Sequence, residues 1–229
     1  MIETLAELEN KLGYTFQDQK LLIKALTHSS TGFSSTGTTR NYERLEFLGD
    51  RVLGLIMADI LFKTFQDDNE GNLAKRHSAL VQGKTLSDIA LENDLGTYVI
   101  MSDSERSSGG ETNENILADV MEGLLGALYL DGGLPPARQL IETWWGDRIQ
   151  TMDKAPQDPK TALQEWVQAR GLPLPAYEIA SREGPDHAPV FVIQVQVMGE
   201  KPIEAEGPSR RQAEKIAAEK MLNELKKGR

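Results

Sequence analysis

Residues 42–53 read YERLEFLGDRVL and place three carboxylates, Glu43, Glu46 and Asp50, at spacings of three and four. An α-helix turns about 100° per residue, so these three positions lie within about 60° of one another on its surface. Apolar residues surround this acidic stripe on most sides, and such a helix is buried. The apolar positions are Leu45, Leu48, Val52, Leu55, Ile56, Ile60 and Leu61. The segment therefore predicts a helix that carries acids in or beside a core.

A second acidic pair lies in residues 116–130, ILADVMEGLLGALYL, where Asp119 and Glu122 are about one helical turn apart. Two carboxylates about 5 Å apart repel by about 3 kcal/mol at an effective dielectric constant of about 20. A cation, a proton or a basic partner must offset this repulsion. Two buried helices with inward acidic pairs predict one four-carboxylate site for a hard divalent cation, Mg²⁺. The alternative is that each pair reaches the end of its helix and meets water or an arginine.

Three glycines interrupt these two helical segments, Gly49 in the first and Gly123 and Gly126 in the second. A glycine in a helix interior costs about 1 kcal/mol relative to alanine. We hypothesise that these glycines let the two helices pack closely enough for four carboxylates to share a metal. General helix packing is the alternative.

The octapeptide ERLEFLGD at residues 43–50 resembles the signature of the ribonuclease III family, endonucleases that cut double-stranded RNA. The resemblance continues through ILAD at residues 116–119 and covers nearly the whole chain. It implies metal-dependent hydrolysis of phosphodiester bonds, with Mg²⁺ as the cofactor and Mn²⁺ as a substitute. The metal ligands implied are Glu46, Asp50, Asp119 and Glu122, of which Asp50 and Glu122 are also assigned as catalytic.

Two further acids receive auxiliary roles from the resemblance. Glu43 is expected to support the site or contact substrate. Glu70 precedes a glycine, as an acid near the active site does in the family, although a solvated acid is the simpler interpretation. The family often has basic residues after a glycine pair, whereas Glu111 and Thr112 follow the pair here, so a phosphate contact from this loop is in doubt.

The resemblance also implies a homodimer in which each subunit cuts one strand and leaves 5′-phosphate and 3′-hydroxyl ends with short 3′ overhangs. Its expected role is the processing of ribosomal, messenger and transfer RNA precursors. Phe47 is expected to enter a pocket on the other subunit. A core phenylalanine is the alternative.

The pattern of the chain changes after residue 150. We expect an all-α endonuclease domain at residues 1–150, a polar linker with proline at residues 151–156, and a small α+β domain at residues 157–229. Apolar and polar residues alternate over residues 191–197, as in a half-buried strand. The α-β-β-β-α order resembles a double-stranded RNA-binding domain. In the first domain, Trp144 and Trp145 are expected in the core, and Lys75, Arg76 and His77 on the surface.

The last helix is expected to begin at Ser209 and to present a basic cluster of Arg210, Arg211 and Lys215, where the helix dipole favours anions. Its acids, Glu214 and Glu219, are expected to point elsewhere. By resemblance, Ser209 and the basic cluster meet phosphates across the major groove, and residues of the first helix and a loop contact successive minor grooves. Those residues are Gln164, Glu165 and His187. A solvated basic face is the alternative.

Charge and composition limit the remaining function classes. Residues 1–156 carry 14 basic and 24 acidic side chains, whereas residues 157–229 carry 11 of each. An acidic chain argues against nucleic-acid binding unless a metal and a local basic cluster supply positive charge. The sequence has no cysteine, which excludes disulfides and a cysteine nucleophile. It shows no signal peptide and no apolar run long enough for a membrane span, so a soluble cytoplasmic protein is expected.

Three other functions are compatible with parts of the sequence pattern. A binding-only protein for double-stranded RNA would use the acidic domain merely to dimerise, and a cleavage assay is needed to exclude it. A metallophosphohydrolase for small molecules, or a ribonuclease that uses histidine, is disfavoured because the three histidines lie in loops or alone.

Overall fold

The computed structural model describes residues 2–32, 39–185 and 189–227. Its contacts divide the chain into two compact units, Met1–Pro156 and Gln157–Arg229. None of the described helices is long and apolar enough to cross a membrane.

The first unit is helical throughout its described part. Short 3-10 turns at Ser29–Thr31, Leu95–Tyr98 and Gly110–Thr112 connect some of the helices. The helices are α1 Ile2–Leu12, α2 Gln19–Leu26, α3 Thr39–Thr64, α4 Glu70–Val81, α5 Gly83–Glu92, α6 Asp103–Ser107, α7 Glu114–Gly132 and α8 Leu134–Gln150. The amphipathic pattern of residues 73–94 predicts helix, and the structure divides this segment between α4 and α5. The Ser, Gly and Glu content of residues 102–115 predicts a loop, but this segment contains α6 and a 3-10 turn.

Helices α3 and α7 form the centre of this unit, with backbones in direct contact. A Cβ atom added to Gly49 would lie 1.7 Å from the carbonyl oxygen of Glu122. One added to Gly126 would lie 2.3 Å from the carbonyl oxygen of Leu45. No side chain fits at either position, so the expected close packing at these two glycines is present. Apolar residues of both helices, including Leu53, Ile56, Leu117 and Leu124, are fully or almost fully buried around this contact.

The prediction that Arg76 lies on the surface is wrong, because its side chain is only 3% exposed. Its Nε donates to Asp68 at 2.7 Å, and its Nη1 donates to the carbonyl oxygen of Met152. Its guanidinium group also lies 3.6 Å from the ring centroid of Phe65. Arg76 thus contacts both the segment after α8, at Met152, and the segment after α3, at Phe65 and Asp68. The buried Trp145, expected in the core, donates from Nε1 to the carbonyl oxygen of Leu80 at 2.9 Å.

The second unit has the predicted α-β-β-β-α order. Its elements are α9 Pro159–Gln168, β1 Ala176–Glu183, β2 Val190–Gln196, β3 Ile203–Gly207 and α10 Arg210–Lys227. The strands form an antiparallel sheet in the order β1-β2-β3. Alternate residues of β2, Ile193 and Val195, are buried with apolar residues of α9 and α10. The fold class is therefore confirmed for both units.

The contact between α3 and α7 predicts opposite effects of two glycine substitutions. Gly126→Ala should lower the free energy of unfolding by about 1–3 kcal/mol or more, because its Cβ would overlap the α3 backbone. Gly146→Ala is the matched control, since nothing lies within 4 Å of a Cβ at that position of α8. It should stabilise by up to about 1 kcal/mol. Denaturant unfolding followed by circular dichroism measures both. A Gly126→Ala protein as stable as the control would contradict the close contact.

Candidate functional site

The close contact of α3 and α7 places the two acidic pairs on neighbouring helices. Glu46 and Asp50 belong to α3, Asp119 and Glu122 belong to α7, and all four residues are half-buried. The Cβ position of Gly49, one residue before Asp50, points at the backbone of Glu122. The helix backbones therefore bring together the four positions that the sequence predicted.

The pKa values show that three of these carboxylates share one electrostatic environment. Burial, and then the charges of Glu46 and Asp119, raise the pKa of Glu122 to about 7. Burial, and then the charges of Asp119 and Glu43, raise the pKa of Glu46. Burial raises the pKa of Asp119, while the nearby His28 charge acts in the opposite direction. Negative charge at this site is therefore costly in the absence of a cation.

Asp50 differs from the other three because an arginine neutralises it. Arg51 forms an ion pair with Asp50, and its guanidinium carbon lies 5.1 Å from the ring centroid of Phe47. The charge of Arg51 also lowers the pKa of Glu122, against the larger effects that raise it. Sequence reasoning did not single out Arg51, although its position directly after Asp50 was a signal.

A divalent cation fits this site by the chemistry of its donors. Carboxylate oxygens are the ligands that hard cations prefer, and a bound cation would offset the repulsion that raises these pKa values. The side chains are not arranged as a finished metal site, since the described part of the chain contains no group of three or more His, Asp or Glu poised to hold a metal. The sharing of one metal by all four carboxylates therefore stays a prediction.

The two auxiliary acids and His28 occupy different surroundings. Glu43 contributes charge to the site through its effect on the pKa of Glu46. Glu70 is an exposed acid in the first turn of α4, and it is not among the charges that shift the pKa values of Glu46, Asp119 or Glu122. His28 is held by two backbone contacts: its Nδ1 accepts from the backbone N–H of Ser30, and its backbone N–H donates to the carbonyl oxygen of Ile100.

The basic cluster of the second unit lies at the start of α10 as predicted, but it is paired internally. Arg210 donates from Nε to Glu214 at 2.9 Å, and Lys160 donates from Nζ to the same carboxylate at 2.5 Å. Lys215 pairs with Asp158 at 2.8 Å. The expectation that Glu214 points elsewhere is therefore wrong. Lys160, which sequence reasoning left out of the interface, belongs to the same cluster.

The other predicted interface residues lie on exposed positions where they are described. Ser209 accepts from the backbone N–H of Gln212 at 3.3 Å and so caps α10. Arg211 is exposed and makes no ion pair with the described residues. Gln164 and Glu165 are exposed on α9, while His187 lies outside the described residues. The N-termini of α9 and α10 thus form one polar surface with several cations.

Comparison with known proteins gives a consistent result over both units. The family model for Ribonuclease-III-like proteins matches residues 18–148, and the model for the Double-stranded RNA binding motif matches residues 159–225. The chain is 45% identical to Ribonuclease 3 of Ehrlichia canis (strain Jake) over 99% of its length and 98% of that protein.

Two solved structures of the nuclease domain of ribonuclease III from Campylobacter jejuni are also similar. One is 39% identical with a TM-score of 0.58, and it covers 65% of this chain and 97% of that domain. The other is 41% identical with a TM-score of 0.56 over 61% of this chain and 94% of that domain, and it is described as showing flexibility in a region involved in dimer formation.

The raised pKa of Glu122 predicts how the stability of the metal-free protein depends on pH. The carboxyl has an ordinary pKa of 4.5 and a folded pKa of about 7, so between these values the unfolded chain releases the proton first. The contribution of the protonated Glu122 carboxyl to the free energy of unfolding is therefore fully present below pH 4.5 and is lost as the pH rises through 7. Relative to Glu122→Gln, the wild type should lose melting temperature between about pH 5 and pH 8. Glu7→Gln, at an exposed position of α1, is the control and should melt in parallel with the wild type. Parallel curves for Glu122→Gln in a chelating buffer would contradict the assignment.

Proposed function

The chain belongs to the ribonuclease III family, and we propose that its four carboxylates hold a divalent cation for the hydrolysis of double-stranded RNA. Its first unit is an endoribonuclease domain, and its second unit is a double-stranded RNA-binding domain. The observation that carries the proposal is the electrostatic coupling across the contact of α3 with α7: the charge of Asp119 raises the pKa of Glu46, and the charges of Glu46 and Asp119 raise the pKa of Glu122.

The family depends on divalent metal, and we propose Mg²⁺ as the cofactor with Mn²⁺ as a substitute. A divalent cation supplies Lewis acidity, which acidifies water and offsets charge that develops on the phosphate. In this proposal Glu46, Asp119 and Glu122 hold the cation. Asp50 completes the set or orients the attacking water, and its Oδ1 is available because Arg51 contacts only Oδ2. Glu43 and Glu70 remain auxiliary candidates.

Glu122 has a second property that matters for this chemistry. Its pKa of about 7 means that a proton and a cation compete for the same carboxylate near neutral pH. The half-buried position keeps bulk water from screening the charges on the reacting phosphate, so each nearby charge has a stronger effect than at the surface. These properties support Glu122 as a catalytic carboxylate, and we propose Asp50 as the second because the resemblance to the family implies it.

A homodimer is the proposed active form. Phe47 is 64% exposed, so it is not a core residue of this chain, and Leu55 and Phe62 are exposed near the same face of α3. This apolar stripe suits a second copy of the chain, and the described relative carries a region involved in dimer formation. A two-fold axis would set two sites against opposite strands, giving 5′-phosphate and 3′-hydroxyl ends with short 3′ overhangs. Precursors of ribosomal, messenger and transfer RNA in the cytoplasm are the proposed substrates.

The direct test of the active site is Glu122→Gln, which removes one negative charge at nearly constant volume. Single-turnover cleavage of long double-stranded RNA in Mg²⁺ should fall by about 100-fold or more, because the cation and its water lose a ligand. Affinity for RNA in Ca²⁺ should stay unchanged, since binding depends on the second unit. End-group analysis of wild-type products, with and without Mg²⁺, checks the reaction. Near-normal cleavage by Glu122→Gln would overturn the assignment, and a wild type that binds RNA without cutting it would support a binding-only protein.

The test of assembly is Phe47→Ala. Removal of a large ring from an interface typically costs about 1–4 kcal/mol of binding free energy. The Kd of the Phe47→Ala dimer should therefore be higher than that of the wild type, with more monomer at any given protein concentration. Leu174→Ala, at an exposed leucine of the second unit, is the matched control. Sedimentation over a range of concentrations measures both proteins. If Phe47→Ala remains as fully dimeric as the control, Phe47 does not lie in the interface.

A further inference from the structure

One acidic side chain lies inside the basic cluster of the RNA-binding domain. The carboxylate of Glu214 is only 11% exposed, and its two oxygens accept from different helices. Oε1 accepts from Nε of Arg210 on α10 at 2.9 Å, and Oε2 accepts from Nζ of Lys160 on α9 at 2.5 Å. A single carboxylate thus ties together the N-terminal ends of both helices of this domain.

The geometry of the pair with Arg210 leaves most of the arginine available. A guanidinium group has five N–H donors, and only the Nε donor is directed at Glu214. The side chain of Arg210 is 61% exposed, and its two Nη groups make no hydrogen bond to the described residues. Two parallel donors in a fixed plane are the arrangement that binds phosphate oxygens in bidentate fashion. The ion pair therefore fixes the arginine without occupying the donors that would meet a phosphate.

Lys160 is fixed by two contacts. Besides the ion pair with Glu214, its Nζ lies 4.7 Å from the ring centroid of Tyr177. An ammonium group has three donors, so two remain after the bond to Glu214. Burial, followed by the charges of Glu214 and Asp158, raises the pKa of the Tyr177 hydroxyl to about 12, so the ring stays neutral beneath the lysine.

The two cations that contact Glu214 also favour its ionised form. Burial alone would raise the pKa of Glu214, but the hydrogen bonds from Lys160 and Arg210 outweigh it and lower the pKa. Glu214 therefore remains a carboxylate, and two cations held by one carboxylate leave one net positive charge at this point.

We propose that Glu214 is a positioning residue of the RNA interface, which sets Lys160 and Arg210 as one phosphate-binding unit, and that Lys160 contacts RNA. This inference rests on the binding of double-stranded RNA by the second unit. An unpaired arginine or lysine loses several rotatable bonds of freedom when it binds a phosphate, and the internal ion pairs reduce that loss before RNA arrives.

The opposite role for Glu214 is competition, in which the carboxylate withholds both cations from the phosphates. The two roles predict opposite signs for Glu214→Gln. Removal of a negative charge from a surface that meets phosphates strengthens binding when electrostatics alone decides. Weaker binding after the same change indicates that the orientation of the cations matters more than the net charge.

The experiment compares Glu214→Gln with Glu219→Gln in the full chain. Glu219 lies on the same helix, is exposed and makes no ion pair with the described residues, so its replacement changes the charge equally without disturbing the cluster. Affinity for a duplex RNA is measured in Ca²⁺ at several salt concentrations, with circular dichroism and melting temperature as checks of folding. Glu214→Gln should bind about tenfold more weakly than wild type, whereas Glu219→Gln should stay within about twofold or bind more tightly.

A second variant, Lys160→Met, tests the contact of the lysine and keeps the argument testable if Glu214→Gln does not fold. It retains the pair of Arg210 with Glu214 and the aliphatic bulk of the side chain. Loss of one phosphate contact should lower the slope of log affinity against log salt by somewhat under one unit, about 0.7–0.9.

Three results would overturn the inference. A folded Glu214→Gln that binds as tightly as Glu219→Gln would show that Glu214 does not position the cations, and one that binds more tightly would show competition. An unchanged salt slope for Lys160→Met would remove the lysine from the interface. In these cases wild-type binding of duplex RNA remains, so the function of the domain stands. If the wild type itself bound no duplex, the inference and the RNA-binding function would fail together.

Discussion

The direct contact between the backbones of α3 and α7 is the constraint on which the active site depends. Gly49 and Gly126 lack the side-chain atoms that would separate the helices. Close approach, in turn, sets Glu46 near Asp119 and Glu122. Burial raises the pKa of all three carboxyls, and like charges raise the pKa of Glu46 and Glu122 further. The unfavourable charge is therefore a consequence of helix packing. We propose that it also gives the site an affinity for a divalent cation, since a positive ion would relieve both the repulsion and the cost of burial.

The two units differ in whether the acidic side chains at their functional surfaces are paired with basic ones. In the nuclease domain Asp119 and Glu122 form no ion pair with the described residues, and of the four acids of the candidate site only Asp50 is paired, with Arg51. In the RNA-binding domain the acids Asp158 and Glu214 are paired with Lys215, Lys160 and Arg210. The nuclease domain therefore keeps excess negative charge at its candidate site, whereas ion pairs hold the cations of the RNA-binding domain in fixed positions. An acidic chain can therefore act on RNA, because local arrangement matters more at each site than net charge.

The parts of this structure that follow from local pattern could be predicted from the sequence. The order of helices and strands, the cap of α10 at Ser209 and the acidic faces of α3 and α7 depend on residues close in the chain. The break between α4 and α5 is local too, but helical periodicity continues across it. Long-range contacts account for the errors. Arg76 is buried because the carbonyl oxygen of Met152 accepts from it, and Glu214 is held by Lys160, which is 54 positions away. Single-residue patterns carry no information on such partners, and a charged residue is assigned to the surface by default.

We propose that a divalent cation bound at Glu122 and its neighbours relieves the repulsion among these half-buried carboxylates. Isothermal titration calorimetry of Mg²⁺ into the RNA-free protein near pH 7, in two buffers with different ionisation enthalpies, measures the protons released on binding. Binding should release a substantial fraction of one proton per site, because Glu122 has a pKa of about 7 and must ionise to bind. The Glu122→Gln protein should bind Mg²⁺ more weakly and with less proton release. Binding without proton release, or binding that Glu122→Gln leaves unchanged, would contradict a cation site at Glu122.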